Sequence, residues 1–181
     1  MYDYRMGAGL ISFRSATSHD ASTVASIHEA AWRATYQGII PHLHLQRMIA
    51  RRGPRWWQQQ IERGANLTLL VFDGVPQGYA TWGQARGTWP WPAGEIYELY
   101  VNPTFQGIGL GSRLFTAAKA ALKREGLSKL VVWALKENET ACAFYCGMGG
   151  APLAAVPERY GEVSLVRVAF VWGVNVKSSN A

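Results

Sequence analysis

The sequence predicts an α/β fold of mixed α+β layers, a central sheet flanked by helices, and three observations predict it. Apolar residues keep helical spacing through residues 20–63. Strand-length apolar runs separated by turn signals fill residues 67–101. A glycine-rich turn then joins a strand to a helix, and a further strand, helix and strand close the chain.

The elements follow in order. Leu10 to Arg14 alternates like a short strand. Ser18 or Asp20 can cap a helix whose apolar positions are Val24, Ile27, Ala31 and Ala34. Gly38 and Pro41 end it, and a second helical region breaks near Gly53-Pro54 and resumes through Trp56, Trp57 and Ile61. Leu67 to Phe72, the pair Asp73-Gly74 and Val75 to Gln84 read as a hairpin. After a Trp89-Pro90-Trp91-Pro92 loop comes the strand Glu95 to Val101, which Pro103 must stop. A helix runs from about Gly109 to Arg124, and Gly126 ends it. Leu130 to Leu135 is a buried strand, Asn138 caps a short helix to about Cys146, and Val163 to Trp172 is the last strand. Residues 1–175 are expected to form a single domain and residues 176–181 a disordered tail.

Composition narrows the function. Of 181 residues, 49% are hydrophobic and 17% charged, which excludes a disordered chain. No apolar run approaches the ~20 residues of a membrane span, so no membrane partner is expected. The net charge of +6 is scattered, with no basic stripe, so no nucleic-acid partner is expected either. Neither a leader pattern nor a cysteine framework is visible, and a cytoplasmic location is the simplest expectation. Cys142 and Cys146 read as small buried thiols. His28-Glu29 lacks the second histidine of a zinc-protease helix, His42 and His44 read as loop residues, and no metal site is expected.

The stretch NPTFQGIGLGSRLF, residues 102–115, carries the chemistry. Three glycines at alternate positions weaken both a strand end and a helix start. Bare backbone at a helix start exposes N–H groups that attract phosphate oxygens. A phosphate loop would need a following lysine, and the dinucleotide fingerprint fails in both frames at Ser112 and Leu114. What remains is Gln106-x-x-Gly109-x-Gly111.

Preceded by EIYELYV and followed by an amphipathic helix, this motif resembles the acetyl-coenzyme A signature of the GNAT superfamily of N-acetyltransferases. A second match, NETACAFYCGMGG, is similar to the superfamily's later motif, with Asn138, Ala141, Phe144, Tyr145 and Gly149 in register and Gly150 where an aromatic is usual. The resemblance implies a GNAT-like fold, mostly antiparallel, with strands splayed around the acyl-coenzyme A site. It implies acetyl-coenzyme A as cosubstrate and a primary amine of a small molecule or peptide as acceptor, attacking the thioester directly. Pyrophosphate would rest on Gln106, Gly107, Ile108, Gly109, Leu110 and Gly111, with Ser112 and Arg113 beside them. Leu99, Tyr100 and Val101 would pair with the pantetheine arm, and Asn138 and Ala141 would lie near the cofactor.

A carboxylate must take the amine's proton, since alkylamines titrate near ~10. Glu95 stands where some members carry the base and is preferred, Glu98 being the alternative. Strict alternation puts the two on opposite faces of the sheet. Tyr145 matches the superfamily's acid for the departing thiolate. A non-catalytic acyl-coenzyme A sensor is the other reading, though it needs neither Tyr145 nor a strand glutamate. The Trp89–Trp91 loop is left with three uses, as wall, as lid or as a homodimer contact.

Overall fold

A computed structural model describes residues 4–6 and 9–174; the expected tail at 176–181 lies outside them. Eight strands form one sheet in the order β1-β2-β3-β4-β5-β6-β8-β7. They are β1 (Tyr4–Met6), β2 (Gly9–Ser15), β3 (Leu67–Phe72), β4 (Val75–Gln84), β5 (Gly94–Val101), β6 (Leu130–Leu135), β7 (Ala151–Tyr160) and β8 (Val163–Trp172). Every pairing is antiparallel except β5 with β6. The helices are α1 (Ala21–Tyr36), α2 (His42–Ala50), α3 (Pro54–Glu62), α4 (Leu110–Arg124) and α5 (Glu139–Gly147). No helix among the described residues is long and apolar enough to cross a membrane.

The two faces of the sheet bury different helices. On one, Leu110, Leu114, Phe115, Ala118 and Leu122 of α4 pack with Leu70, Ile96, Val132 and Phe170. On the other, Val24 and Ile27 of α1 and Trp57 of α3 pack with Leu69, Val71 and Tyr79. The hairpin forms as its residues require: Asp73 at φ 49° and Gly74 at φ 81° make the doubly left-handed turn that suits strand twist.

Several local expectations are corrected. β7 was not anticipated, because Pro152 and Pro157 speak against a strand; it lies at the sheet edge, where missing N–H donors cost no ladder bond. His42 and His44 belong to the first turn of α2, which Pro41 opens, and not to a loop. Cys146 is exposed and Cys142 only half-buried, so they are not a pair of core thiols. Asp20 precedes α1 without capping it by side chain; its carboxylate turns back to Thr17 and Arg14, which holds it well below the usual carboxylate range.

Gly150 also finds its reason. A Cβ there would meet the Trp172 ring at 2.5 Å, and the Trp172 indole donates to the Met148 carbonyl at 2.9 Å. An aromatic from β8 fills the space after α5, so the chain needs none of its own at position 150.

Candidate functional site

The site starts where a ladder stops. β5 and β6 pair only at Gly94, Glu95 and Ile96 with Leu130, Val131 and Val132. Beyond Ile96 the two strands separate, β5 keeping β4 and β6 keeping β8. A cleft of about 470 Å³ opens between them, with α4, α5 and the end of α1 at its margins.

A β-bulge decides which side chains face it. Thr81 pairs with Glu98 and Trp82 with Ile96, leaving Tyr97 without a partner on β4. The extra residue resets the alternation, so the expectation that Glu95 and Glu98 face opposite sides fails. Gly94 and Ile96 lie on the α4 face, against Leu122 and the α4 core, which turns Glu95 the other way. Glu98, past the bulge, also meets residues of that other face, Tyr79 and Arg52.

The two carboxylates nevertheless differ. Glu95 is 1% exposed and absent from the cleft lining. The Arg86 backbone N–H, Nε and Nη2 donate to it at 2.8, 3.1 and 2.5 Å. Glu98 lines the cleft, accepting from Arg52 and, at 3.3 Å, from the Tyr79 hydroxyl. The preference for Glu95 as the reacting carboxylate therefore has no geometric support: it is sealed and does not border the cleft, whereas Glu98, though also paired with an arginine, does.

At the other end lies the glycine turn. Gly107 and Gly109 have φ of 78° and 84°, a left-handed conformation that side-chain-bearing residues adopt at a cost. A Cβ on either would meet nothing within 4 Å, so their bareness leaves open space. At Gly111 neither φ nor packing demands glycine, since a Cβ would only touch Phe144 at 3.7 Å. Gln106, Gly107, Gly109, Gly111 and Ser112 line the cleft. Ile108 is exposed, Leu110 is buried in the core and Arg113 lies outside the lining. The first-turn amides of α4 have no carbonyl four residues back within the helix, which leaves donors and partial positive charge at this end.

Gln106 does something the sequence did not suggest. Its Nε2 donates to the Val101 carbonyl at 3.0 Å, tying the turn to the end of β5. Leu99, Tyr100 and Val101 all border the cleft, but Val101 already has that partner. Asn138 spends its Oδ1 on the Ala141 amide at 3.1 Å, capping α5, and both residues line the cleft.

Capping fixes the start of α5 and thereby aims Tyr145 into the cleft. The Tyr145 ring packs among Phe115, Phe144, Phe170 and Trp172, and burial pushes its phenol above the ordinary value. It thus stays protonated at neutral pH and can donate.

Behind Glu98 stands a group the sequence did not reveal. Fully buried His28 has its Nδ1 2.8 Å from the Tyr79 hydroxyl, and its Nε2 has no partner. Burial, then the charge of Arg52, lowers its pKa to about 3, so the ring is neutral. Tyr79 can donate to only one acceptor. If it donates to Glu98, His28 donates from Nδ1 and leaves a bare Nε2, which is cheaper to bury than an unpaired N–H. Arg52 also lies 5.0 Å from the Trp56 ring centre and 5.5 Å from that of Trp32. No local motif marks these residues; four separate elements bring them together.

The Acetyltransferase (GNAT) family profile matches residues 22–149, more than half of the chain. An uncharacterized N-acetyltransferase of Bacillus subtilis, YuaI, is 26% identical over 153 residues, 84% of this chain and 83% of that protein. Among solved structures, the PaiA N-acetyltransferase of Thermoplasma acidophilum in complex with coenzyme A superposes with a TM-score of 0.71 at 17% identity, over 87% of this chain and 97% of that one. YncA of Salmonella typhimurium, a putative acetyltransferase with its cofactor acetyl-CoA, gives 0.66 at 20% identity, over 93% and 96%.

Proposed function

Because the chain belongs to the Acetyltransferase (GNAT) family, and is therefore a transferase, we propose that it moves an acetyl group from acetyl-coenzyme A to a primary amine of a small molecule or peptide. The observation that carries this reading is the coincidence, in one cleft, of left-handed glycines at a helix start, an unzipped strand and a protonated phenol.

The cofactor has a natural fit. Backbone amides from Gly107 to Ser112 and the α4 dipole supply donors and positive charge without a basic side chain. The free edge of β5 can add the peptide-like pantetheine arm as a short extra strand, with Val132 and Ala134 of β6 along the opposite wall. Gln106 holds the geometry between turn and strand.

Glu98 is the group to meet the acceptor. Arg52 and Tyr79 both donate to it, an arrangement that suits a charged carboxylate and fixes its position. It would dock the ammonium and accept its proton, directly or through water. The neutral amine then attacks the thioester carbonyl, the carbon–sulfur bond breaks, and Tyr145 donates to the leaving sulfur. The attacking nitrogen loses its second proton through water, which restores the Tyr145 phenol, and Glu98 releases the first to solvent. A bare sensor would have no use for Glu98 and Tyr145 together in the lining of one cleft.

Saturating acetyl-coenzyme A should raise the melting temperature, and amines should then release coenzyme A in a thiol-trapping assay. Unchanged melting would defeat the binding reading; binding without release for any amine would leave the sensor reading.

A further inference from the structure

Resting on that transferase reading, we propose that the acceptor is an arylalkylamine: a primary amine on a short chain ending in a flat aromatic ring, with no carboxylate and no second ammonium.

Charge inside the cleft carries the first half. Among the described residues lining it, Glu98 alone is charged. An acceptor with a carboxylate would find no lysine or arginine in the lining to pair with. A polyamine would find in that lining a single carboxylate, itself shared with Arg52, for several ammonium groups. One ammonium is the most that Glu98, already shared with Arg52, can hold.

Shape and chemistry carry the second half. Tyr97 and Trp133 are the first residues past the last β5–β6 ladder pair, Ile96 with Val132, and both line the cleft. They stand on opposite strands at the point where the gap begins. Each ring has a guanidinium against it. The Arg86 guanidinium lies 4.3 Å from the Tyr97 ring centre, and that of Arg167 lies 5.0 Å from the Trp133 ring. Trp89 stacks near Trp133 at 6.1 Å, which gives the tryptophan-rich loop a use as a support for the wall. The Tyr97 hydroxyl is spent on the Gln84 carbonyl at 2.6 Å, and those of Tyr36 and Tyr100 on each other at 2.8 Å. These residues therefore offer ring surface rather than free polar ends. Aromatic walls favour an aromatic guest through offset or edge contacts beyond simple burial.

The test uses the purified protein with acetyl-coenzyme A and four acceptors: phenethylamine, n-butylamine, spermidine and phenylalanine. Phenethylamine should show the highest kcat/KM, by about tenfold or more over each of the others, the scale a well-filled apolar pocket provides. Trp133→Ala should collapse the ratio between phenethylamine and n-butylamine, mostly through KM. Spermidine or phenylalanine turned over as well as phenethylamine would overturn the proposal, and so would equal kcat/KM for n-butylamine. Saturation-transfer NMR of phenethylamine on the wild-type protein with coenzyme A bound checks the slot without chemistry. Ring protons should receive saturation, and none would overturn it. Phenethylamine seated there with no transfer to any amine would instead sink the transferase reading and leave the slot standing.

Discussion

From Gly94 to Ile96, β5 is laddered on both edges, to β4 and to β6; from Glu98 to Val101 it keeps β4 alone. The paired half carries Glu95, sealed and held by Arg86. The free half carries Glu98, Leu99 and Tyr100, which border an open cleft. Both glutamates lie on one strand, three residues apart and on one face. What separates a sealed carboxylate from one that borders the cleft is therefore the loss of a neighbouring strand, together with a single bulged residue. A backbone that stops pairing leaves donors, acceptors and room in the same place.

The largest effect should come from closing the phosphate end of the free half. Gly109→Val puts a β-branched residue at φ 84° with its side chain in the open turn. Acetyl-coenzyme A affinity by calorimetry should fall by about 100-fold or more, equivalent to roughly 3 kcal/mol. Retained affinity would place the phosphates elsewhere.

Next come the two carboxylates themselves. Glu98→Gln should lower kcat/KM by about 10²-fold, the lower end of what a positioned acid or base contributes. Glu95→Gln should leave turnover within about threefold but lower stability by about 1–2 kcal/mol, since Arg86 loses its charged partner. The reverse pattern in a parallel kinetic and melting series would exchange their roles.

Tyr145→Phe should reduce kcat by about 10- to 100-fold while sparing cofactor affinity, because only a late hydrogen bond is lost. The raised phenol also has a pH signature. An acid that stays protonated longer than free tyrosine should leave no alkaline loss of kcat below pH ~10. A fall between pH 8 and 9 would remove Tyr145 from the role.

The smallest effect is on stability in acid. His28 binds its proton less readily when folded, at about 3 against an ordinary 6.5, so the unfolded chain takes up more protons between those values. Its contribution to stability is complete above pH ~6.5 and is lost as pH falls towards 3. Denaturation midpoints should follow that slope, and His28→Phe should flatten it; an unchanged slope would assign the acid sensitivity to other groups.

How much of this was legible before folding depends on the reach of each signal. Gln106, Gly109 and Gly111, with Asn138, Ala141 and Tyr145, were legible as neighbours of one cleft because they lie on two short, contiguous segments. The hairpin at Asp73-Gly74 was legible for the same reason. Glu98 was named but placed second, since strict alternation cannot register a bulge that only the β4 partner imposes at Tyr97. Arg52, Tyr79 and His28 carry no local pattern at all. They meet across 51 and 46 residues of sequence, and only the packing of α1 and the α2–α3 junction over the sheet makes them neighbours of Glu98. β7 was hidden by its prolines, which an interior strand would not tolerate and an edge strand does.

A crystal structure with acetyl-coenzyme A bound tests the central claim most directly. The account predicts pyrophosphate oxygens within about 3 Å of backbone nitrogens between Gly107 and Ser112. It also predicts the pantetheine lying along the free edge of Leu99–Val101, with the sulfur beside the Tyr145 hydroxyl. A cofactor seated outside the β5–β6 gap, or phosphates held by side chains away from this turn, would contradict it.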